Sequence, residues 1–159
     1  DFELKLIASD RGLAGIDYGS YKRDSVSGQR AIALVIPGIM GSNLGDPKKA
    51  GKKDELVWIN YWRFLTGDLM EMALDANNET ELSPHSLIKT AYADLGEKLE
   101  ATYDVVTFEF DWRIPLKDSA ARFEAKIKDL LKKNQPIKIV AHSMGGVLVR
   151  DFIVYHPDT

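Results

Sequence analysis

The chain has 159 residues, of which 45% are hydrophobic, and this length suits one domain with a sizeable core. Its 21 basic and 24 acidic residues are spread along the chain and give a net charge of −3, which excludes the basic patch of a nucleic-acid-binding protein. The absence of cysteine excludes disulfides and thiolate zinc sites. Because no other metal-ligand spacing occurs either, we expect neither a metal nor a cofactor.

The sequence contains no segment that predicts a membrane anchor. No apolar stretch is long enough to cross a bilayer, and residues 1–10 lack the basic start and long apolar run of a signal peptide. We therefore expect a soluble chain, with the cytoplasm slightly favoured. A signal peptide removed upstream of Asp1 stays an open alternative, since the chain does not begin with methionine.

The first 30 residues are a leading segment to which the pattern assigns no role. Residues 2–6 alternate between apolar and charged positions as in a strand, but four glycines then interrupt any regular element. The predicted domain is residues 31–159. It begins with six consecutive apolar residues at 31–36 that end at a Pro-Gly pair, which is typical of a parallel strand buried on both faces.

Downstream of this strand, segments with helical and strand periodicity alternate. The predicted elements are a loop over 45–60, a helix over 88–99, a strand over 106–112, a helix over 116–131 and a strand over 137–141. The run 145–155 is nearly all apolar but partly β-branched, so propensity alone leaves helix and strand open there. This alternation predicts a three-layer α/β domain with a mainly parallel sheet.

Residues 141–146 read Ala-His-Ser-Met-Gly-Gly and lead from the last predicted strand into the apolar run. They fit the small-x-Ser-x-Gly pattern of a nucleophile elbow, a sharp strand-to-helix turn that exposes a serine hydroxyl. Larger side chains at Ala141 and Gly145 would collide with the neighbouring strand and helix, and Gly146 extends the small-residue run. The motif therefore predicts Ser143 as a nucleophile and the apolar run as a helix. The alternative is a glycine-rich helix start with Ser143 as its N-cap.

Residues 37–42 read Pro-Gly-Ile-Met-Gly-Ser and follow the first buried strand. Acyl transfer through a serine needs two backbone N–H donors for the oxyanion of the tetrahedral intermediate. The residue after the nucleophile, Met144, supplies one donor, and we assign the other to Ile39, because its neighbouring glycines let the backbone approach a substrate carbonyl. The alternative is a tight turn that merely ends the strand.

Three motifs together resemble the lecithin:cholesterol acyltransferase and related lipase families. They are Val-Ile-Pro-Gly-Ile-Met-Gly-Ser-Asn-Leu at 35–44, Phe-Asp-Trp-Arg at 110–113 and the segment 141–146, in the order that these families have. Alanine in place of the first elbow glycine resembles some bacterial lipases. The resemblance covers roughly residues 31–157 and implies an α/β-hydrolase fold with a Ser, Asp, His triad that acts on ester bonds of lipids.

Several charged and polar side chains are predicted to be structural. Asp111 and Arg113 are expected to form an ion pair that fixes the end of a strand, with a solvated strand end as the alternative. His85 in a polar loop, His142 in the elbow and His156 at a helix end suit capping or surface positions better than general-base catalysis.

An aromatic group is the candidate for a lid over an acyl pocket, in the manner of the family. It consists of Trp58, Trp62 and Phe64, beside Tyr61 and Leu65. Aromatic residues at this spacing are more often part of a core, which is the alternative.

These residues predict a lipase, esterase or acyltransferase that works through an acyl-enzyme at Ser143. The expected substrate is a small-molecule or lipid ester, and a lipid substrate also allows peripheral contact with a membrane or lipid surface. No nucleic-acid partner is expected. The rival hypothesis is a non-catalytic binding module, a pseudo-enzyme that keeps the fold without a working triad.

The triad acid and histidine follow the nucleophile on later loops in this fold. Only 16 residues follow Ser143, so both residues and the C-terminal strands are expected beyond Thr159, in the remainder of the polypeptide. We therefore expect the 159-residue chain to be inactive by itself. The strand over 137–141 is then expected to be an open apolar edge.

Overall fold

The computed structural model of the protein describes residues 19–51, 56–59, 70–75 and 81–156. The strands in these ranges are β1 (Ser20–Tyr21), β2 (Ile32–Ile36), β3 (Ser42–Gly45), β4 (Leu56–Trp58), β5 (Ser83–Ile88), β6 (Asp104–Thr107) and β7 (Ile137–Ala141). The α-helices are α1 (Lys89–Glu100), α2 (Leu116–Leu131) and α3 (Met144–Tyr155), and short 3₁₀ helices lie at Pro47–Lys49 and Met70–Met72. The mixed α/β content is confirmed.

The strands that the buried apolar runs predict form a parallel sheet. Its order is β6-β2-β7, and β2 pairs in parallel with both neighbours. All five residues of β2 are buried, as a central strand requires. Among the described residues β7 has a partner on one side only, so it is the edge strand of this sheet, and Ile139 is 38% exposed.

Helices pack on both faces of the parallel sheet. Because successive side chains of a strand point to opposite faces, alternate β2 residues belong to two separate clusters. Ile32, Leu34 and Ile36 pack with α2 and α3, which contribute the side chains Phe123, Ile127, Leu130, Leu148 and Phe152. Ala33 and Val35 pack on the other face with α1, together with Tyr21, Leu87, Tyr92, Ala93 and Val105.

A second sheet was not predicted. Four strands pair in antiparallel fashion in the order β1-β5-β3-β4, so the prediction of a mainly parallel sheet is right for β6-β2-β7 alone. The sequence of β3, Ser-Asn-Leu-Gly, has no apolar alternation that would indicate a strand. Buried hydrogen bonds stabilise this strand instead. The Asn43 side chain donates to Ser86 Oγ at 2.9 Å and to the Leu87 carbonyl at 3.2 Å.

Three predictions about local structure are wrong. The predicted loop over 45–60 contains a 3₁₀ helix and β4 in its described parts. His85 lies within β5 and not in a polar loop. The strand predicted over 106–112 ends at Thr107. Beyond that residue the backbone turns toward the second sheet, where the Phe110 amide donates to Ser42 Oγ at 3.1 Å instead of to a strand neighbour.

The leading segment has a structural role in its described part. Residues 1–18, including the alternating positions 2–6, lie outside the described residues. Tyr21 is buried against α1, and its hydroxyl donates to Glu100 at 3.2 Å. The Thr107 amide donates to the Arg23 carbonyl at 2.8 Å, so residues 19–30 hold the end of β6. No helix of the described segments is both long and apolar enough to cross a lipid bilayer.

Asp104 joins the leading segment to the start of β6. Its buried carboxylate accepts hydrogen bonds from the Ser27 hydroxyl and amide, both at 2.7 Å, and from Arg30 Nε at 3.1 Å. These bonds, of which that from the Ser27 hydroxyl matters most, lower the pKa of Asp104 to about 2. A carboxylate with a lowered pKa stabilises the fold at pH values above its unfolded pKa, and this contribution disappears as the pH falls through the folded pKa.

We expect Asp104→Asn to lower the free energy of unfolding at pH 7 and to have little effect near pH 2. The difference between wild type and variant should shrink as the pH falls from about 4, the pKa of an unfolded aspartate, to about 2. Urea denaturation followed by circular dichroism across this range measures it. Asp129→Asn is the control, since the ion pair of Asp129 with Lys132 in the described residues is exposed and 3.9 Å long. A wild-type advantage independent of pH would contradict the assignment.

Candidate active site

The candidate site lies where β2 and β7 end side by side. Ile36, the last residue of β2, is the register partner of Ala141, the last residue of β7. The pairing continues for one residue beyond β7, since the His142 amide donates to the Ile36 carbonyl at 3.0 Å. The segment 37–42 and Ser143 therefore leave the sheet at the same edge, the carboxyl edge at which parallel sheets bind ligands.

Ser143 has a backbone conformation that non-glycine residues rarely adopt. Its φ is 50° and its ψ is −118°, at the junction between β7 and α3. It occupies the N-cap position of α3, but its side chain makes no capping hydrogen bond, and the residue is exposed. Ser143 thus has the N-cap position of the alternative interpretation, but not the side-chain hydrogen bond of a capping serine. The hydroxyl is free to meet a molecule from solvent.

The two glycines after Ser143 have different surroundings. A Cβ at Gly145 would lie 2.5 Å from the Pro37 carbonyl oxygen and 2.8 Å from Ile36 Cγ2, so α3 can approach β2 only with glycine at this position. A Cβ at Gly146 would meet nothing within 4 Å. Ala141 is exposed. The steric demand expected of the elbow residues is thus concentrated at Gly145.

The segment 37–42 forms a tight turn against the serine. The Gly41 amide donates to the Gly38 carbonyl at 3.1 Å, and Met40 at the third turn position has a φ of 59°, where glycine is usual. The Trp58 indole donates to the Met40 carbonyl at 3.1 Å and holds this conformation. A Cβ at Gly38 would lie 3.1 Å from Ser143 Cβ, so the turn and the serine are in contact.

The amides assigned to the oxyanion hole are both available. Met144 is the first residue of α3, where the N–H groups have no acceptor within the helix. Ile39 lies in the turn and is 59% exposed. Within the described parts of the chain, neither N–H donates to a protein acceptor, whereas the Gly38, Gly41 and Gly145 amides all do.

Tyr92 is a site residue that the sequence did not reveal. The Gly38 amide donates to its hydroxyl at 2.9 Å, and the same oxygen lies 3.1 Å from Nδ1 of His142. Burial raises the pKa of Tyr92, so the phenol keeps its proton at neutral pH. In the sequence Tyr92 is one of several apolar positions of a helix. That pattern shows which helix face is buried, but not what the hydroxyl meets.

Asp111 and Arg113 form the predicted ion pair, with Arg113 Nη2 2.7 Å and Nε 3.0 Å from the two carboxylate oxygens of Asp111. Both side chains are buried, so the alternative of a solvated strand end is wrong. Arg113 Nη1 also donates to the Met72 carbonyl at 2.9 Å. This pair fixes the backbone beside Trp112, whose indole donates to the Ser42 carbonyl at 3.2 Å.

The aromatic residues proposed as a lid are only partly described. Trp58 is buried and packs edge-on against Trp112 with a centroid distance of 5.4 Å, which is a core position. The other members of the group lie outside the described residues, namely Tyr61, Trp62, Phe64 and Leu65.

The remaining histidines have structural surroundings. His85 Nδ1 lies 3.2 Å from Ser86 Oγ in β5. His156 ends α3, stacks on Phe152 at 5.1 Å and lies 3.5 Å from Glu124. Across the described ranges, no three His, Asp or Glu side chains converge as a metal site would require.

Comparison with known protein families gives a match to part of this chain. The model of the lecithin:cholesterol acyltransferase family matches residues 85–157, a range that includes Asp111 to Arg113 and Ser143 but not the turn at 37–42. This part of the chain is therefore similar to the lecithin:cholesterol acyltransferase family.

An uncharacterized protein of Saccharomyces cerevisiae is 26% identical over 126 residues. The alignment covers 69% of this chain and 19% of the yeast protein, so the chain spans about a fifth of that relative's length. The comparison with solved structures gave no match.

The elbow glycines give a matched pair of variants. We expect Gly145→Val to lower the free energy of unfolding by about 1–3 kcal/mol or to prevent folding, because its side chain must displace the backbone of residue 37. Gly146→Ala should stabilise by up to about 1 kcal/mol, since it adds a better helix former in open space. Thermal and urea denaturation by circular dichroism measure both. A well-folded Gly145→Val protein with wild-type stability would contradict the close approach.

Proposed function

We propose that the chain is the nucleophile-bearing part of an α/β-hydrolase-type enzyme that transfers acyl groups from ester substrates through Ser143. The observation that carries the proposal is the contact between the strained, exposed Ser143 and a turn in which the Ile39 N–H has no acceptor in the described residues. A nucleophile and an unpaired N–H beside it are what acyl transfer requires. Helices on both faces of the parallel sheet support the three-layer form of the fold.

The proposed reaction has two steps. Ser143 Oγ loses its proton to a general base and bonds to the ester carbonyl carbon, while the carbonyl oxygen takes the negative charge and accepts the Ile39 and Met144 N–H groups. The C–O bond to the leaving alcohol then breaks, and the protonated base returns the proton to that alcohol. In the second step, water or another alcohol gives a proton to the base and bonds to the acyl carbon. The bond between Ser143 Oγ and that carbon then breaks, and the base returns the proton to Oγ. The base and its acid partner are assigned to the remainder of the polypeptide.

Lipid-like esters are the proposed substrate class. The family match suggests lipid acyl groups as substrates. The surface beside Ser143 is apolar, as an acyl chain requires, since Ile39 is 59% and Met40 is 44% exposed. Exposed apolar residues around a reactive group favour contact with acyl chains or with a lipid surface.

We expect Ser143→Ala to abolish ester hydrolysis by the longest natural form of the protein and to leave its thermal stability unchanged or slightly higher. The slight rise follows from the removal of a functional side chain from a strained position. Turnover of p-nitrophenyl esters and labelling by a fluorophosphonate, which reacts only with an activated serine, measure the loss.

The control is Ser119→Ala, because Ser119 is a buried serine on α2 that a probe in solvent does not reach. It should keep wild-type labelling. More than a few per cent of wild-type turnover in Ser143→Ala would exclude Ser143 as the nucleophile. A wild-type protein that takes up no probe would favour the non-catalytic binding module.

A further inference from the structure

One hydroxyl group connects the two halves of the candidate site. Tyr92 lies in the first turn of α1, on the face of the sheet opposite α2 and α3. Its oxygen is 2.9 Å from the Gly38 amide nitrogen in the turn at 37–42 and 3.1 Å from Nδ1 of His142, the residue before Ser143. The tyrosine thus contacts the segments that follow β2 and β7 at the carboxyl edge of the sheet.

The bonding requirements fix the direction of the bond to Gly38, whereas the direction of the bond to His142 follows the tautomer of its ring. A backbone N–H can only donate, so the Tyr92 oxygen accepts from Gly38. The phenol proton then points away from Gly38 and is available to His142 Nδ1, which accepts it when the imidazole carries its proton on Nε2. The result is a chain from the Gly38 N–H through the Tyr92 hydroxyl to the His142 ring.

The turn is shaped around this hydroxyl. A Cβ at Gly41 would lie 2.6 Å from the Tyr92 oxygen, so glycine at this position makes room for it. A Cβ at Gly38 would likewise lie 3.0 Å from His142 Nδ1. Both glycines of the turn therefore face the Tyr92 and His142 pair, and their small size allows the three groups to meet.

We propose that Tyr92 is a positioning residue that sets the turn at 37–42 against Ser143. The inference rests on the proposed function of Ser143. The Gly38 carbonyl, which shares a peptide with the Ile39 N–H, accepts from the Gly41 amide. By holding the Gly38 amide, Tyr92 fixes the preceding peptide and so anchors the turn that directs the Ile39 N–H. By holding His142, it fixes the residue that precedes the nucleophile. Displacement of one group by about 1 Å can cost about a hundredfold in rate, so loss of this link should be visible in catalysis.

The first test is Tyr92→Phe in the longest natural form of the protein. Phenylalanine keeps the ring packing and removes only the hydroxyl. We expect kcat for p-nitrophenyl esters to fall by about ten- to a hundredfold, with KM changed by less than about threefold, because the link acts on the oxyanion and not on ground-state binding. The rate of fluorophosphonate labelling should fall in parallel.

Tyr21→Phe is the matched control. Tyr21 packs in the same cluster on the α1 face, and its hydroxyl bonds to Glu100 at the far end of α1. Its removal should change stability about as much as Tyr92→Phe but should leave turnover and labelling at the wild-type level. If kcat falls equally in the two variants, general destabilisation explains the effect of Tyr92→Phe, and the proposal is overturned.

Substitution of His142 tests the same hydrogen bond independently. Because the His142 side chain is exposed, this test remains possible if Tyr92→Phe fails to fold. His142→Asn can present an acceptor oxygen where Nδ1 lies, whereas His142→Leu presents none. We expect the asparagine variant to be several-fold faster than the leucine variant. Tyr92→Phe combined with His142→Leu should lose less than the product of the two single losses, since both break the same link.

The outcomes separate this inference from the function on which it rests. Wild-type protein without fluorophosphonate labelling at Ser143 would overturn the proposed function and the positioning role together. Labelled wild type with Tyr92→Phe within about twofold of its kcat would overturn the positioning role alone. Fully multiplicative losses in the double variant would also count against it, because independent residues add in free energy.

Discussion

The parallel pairing of β2 with β7 is the constraint on which the candidate site depends. Ile36 and Ala141 end these strands in register, so the turn at 37–42 and the serine that follows β7 emerge together. The approach is so close that a Cβ at Gly145 would lie 2.5 Å from the Pro37 carbonyl oxygen. A shift of one residue in this register would move Ser143 away from the turn and reverse the faces of every β7 side chain.

Two strained residues lie at this edge, and each is held by groups from elsewhere in the chain. Ser143 and Met40 both have positive φ values, a conformation that persists only where surrounding contacts impose it. The packing of Leu148 and Phe152 fixes α3 behind Ser143. The Trp58 indole holds the Met40 carbonyl, so part of the site is supported by the antiparallel sheet.

The antiparallel sheet supports the turn at 37–42. Its strand β3 begins at Ser42, directly after the turn, and the Ser42 side chain and carbonyl bond to the backbone of Phe110 and the indole of Trp112. The buried pair of Asp111 and Arg113 in turn fixes the segment that carries Trp112. The segment Phe-Asp-Trp-Arg therefore supports the turn through these contacts.

The sequence by itself determined the parts of the protein that local patterns encode. The buried run of β2, the apolar face of α2 and the order of strands and helices follow from periodicity, and the small residues around Ser143 predict a tight turn. Only the tertiary structure decided the antiparallel sheet and the role of Tyr92. The strands β3 and β5 are stabilised by side-chain hydrogen bonds between Asn43 and a strand more than 40 residues away, which no local pattern records. Likewise the Tyr92 hydroxyl meets Gly38 and His142 across 54 and 50 residues of sequence, because the parallel sheet brings their segments to one edge.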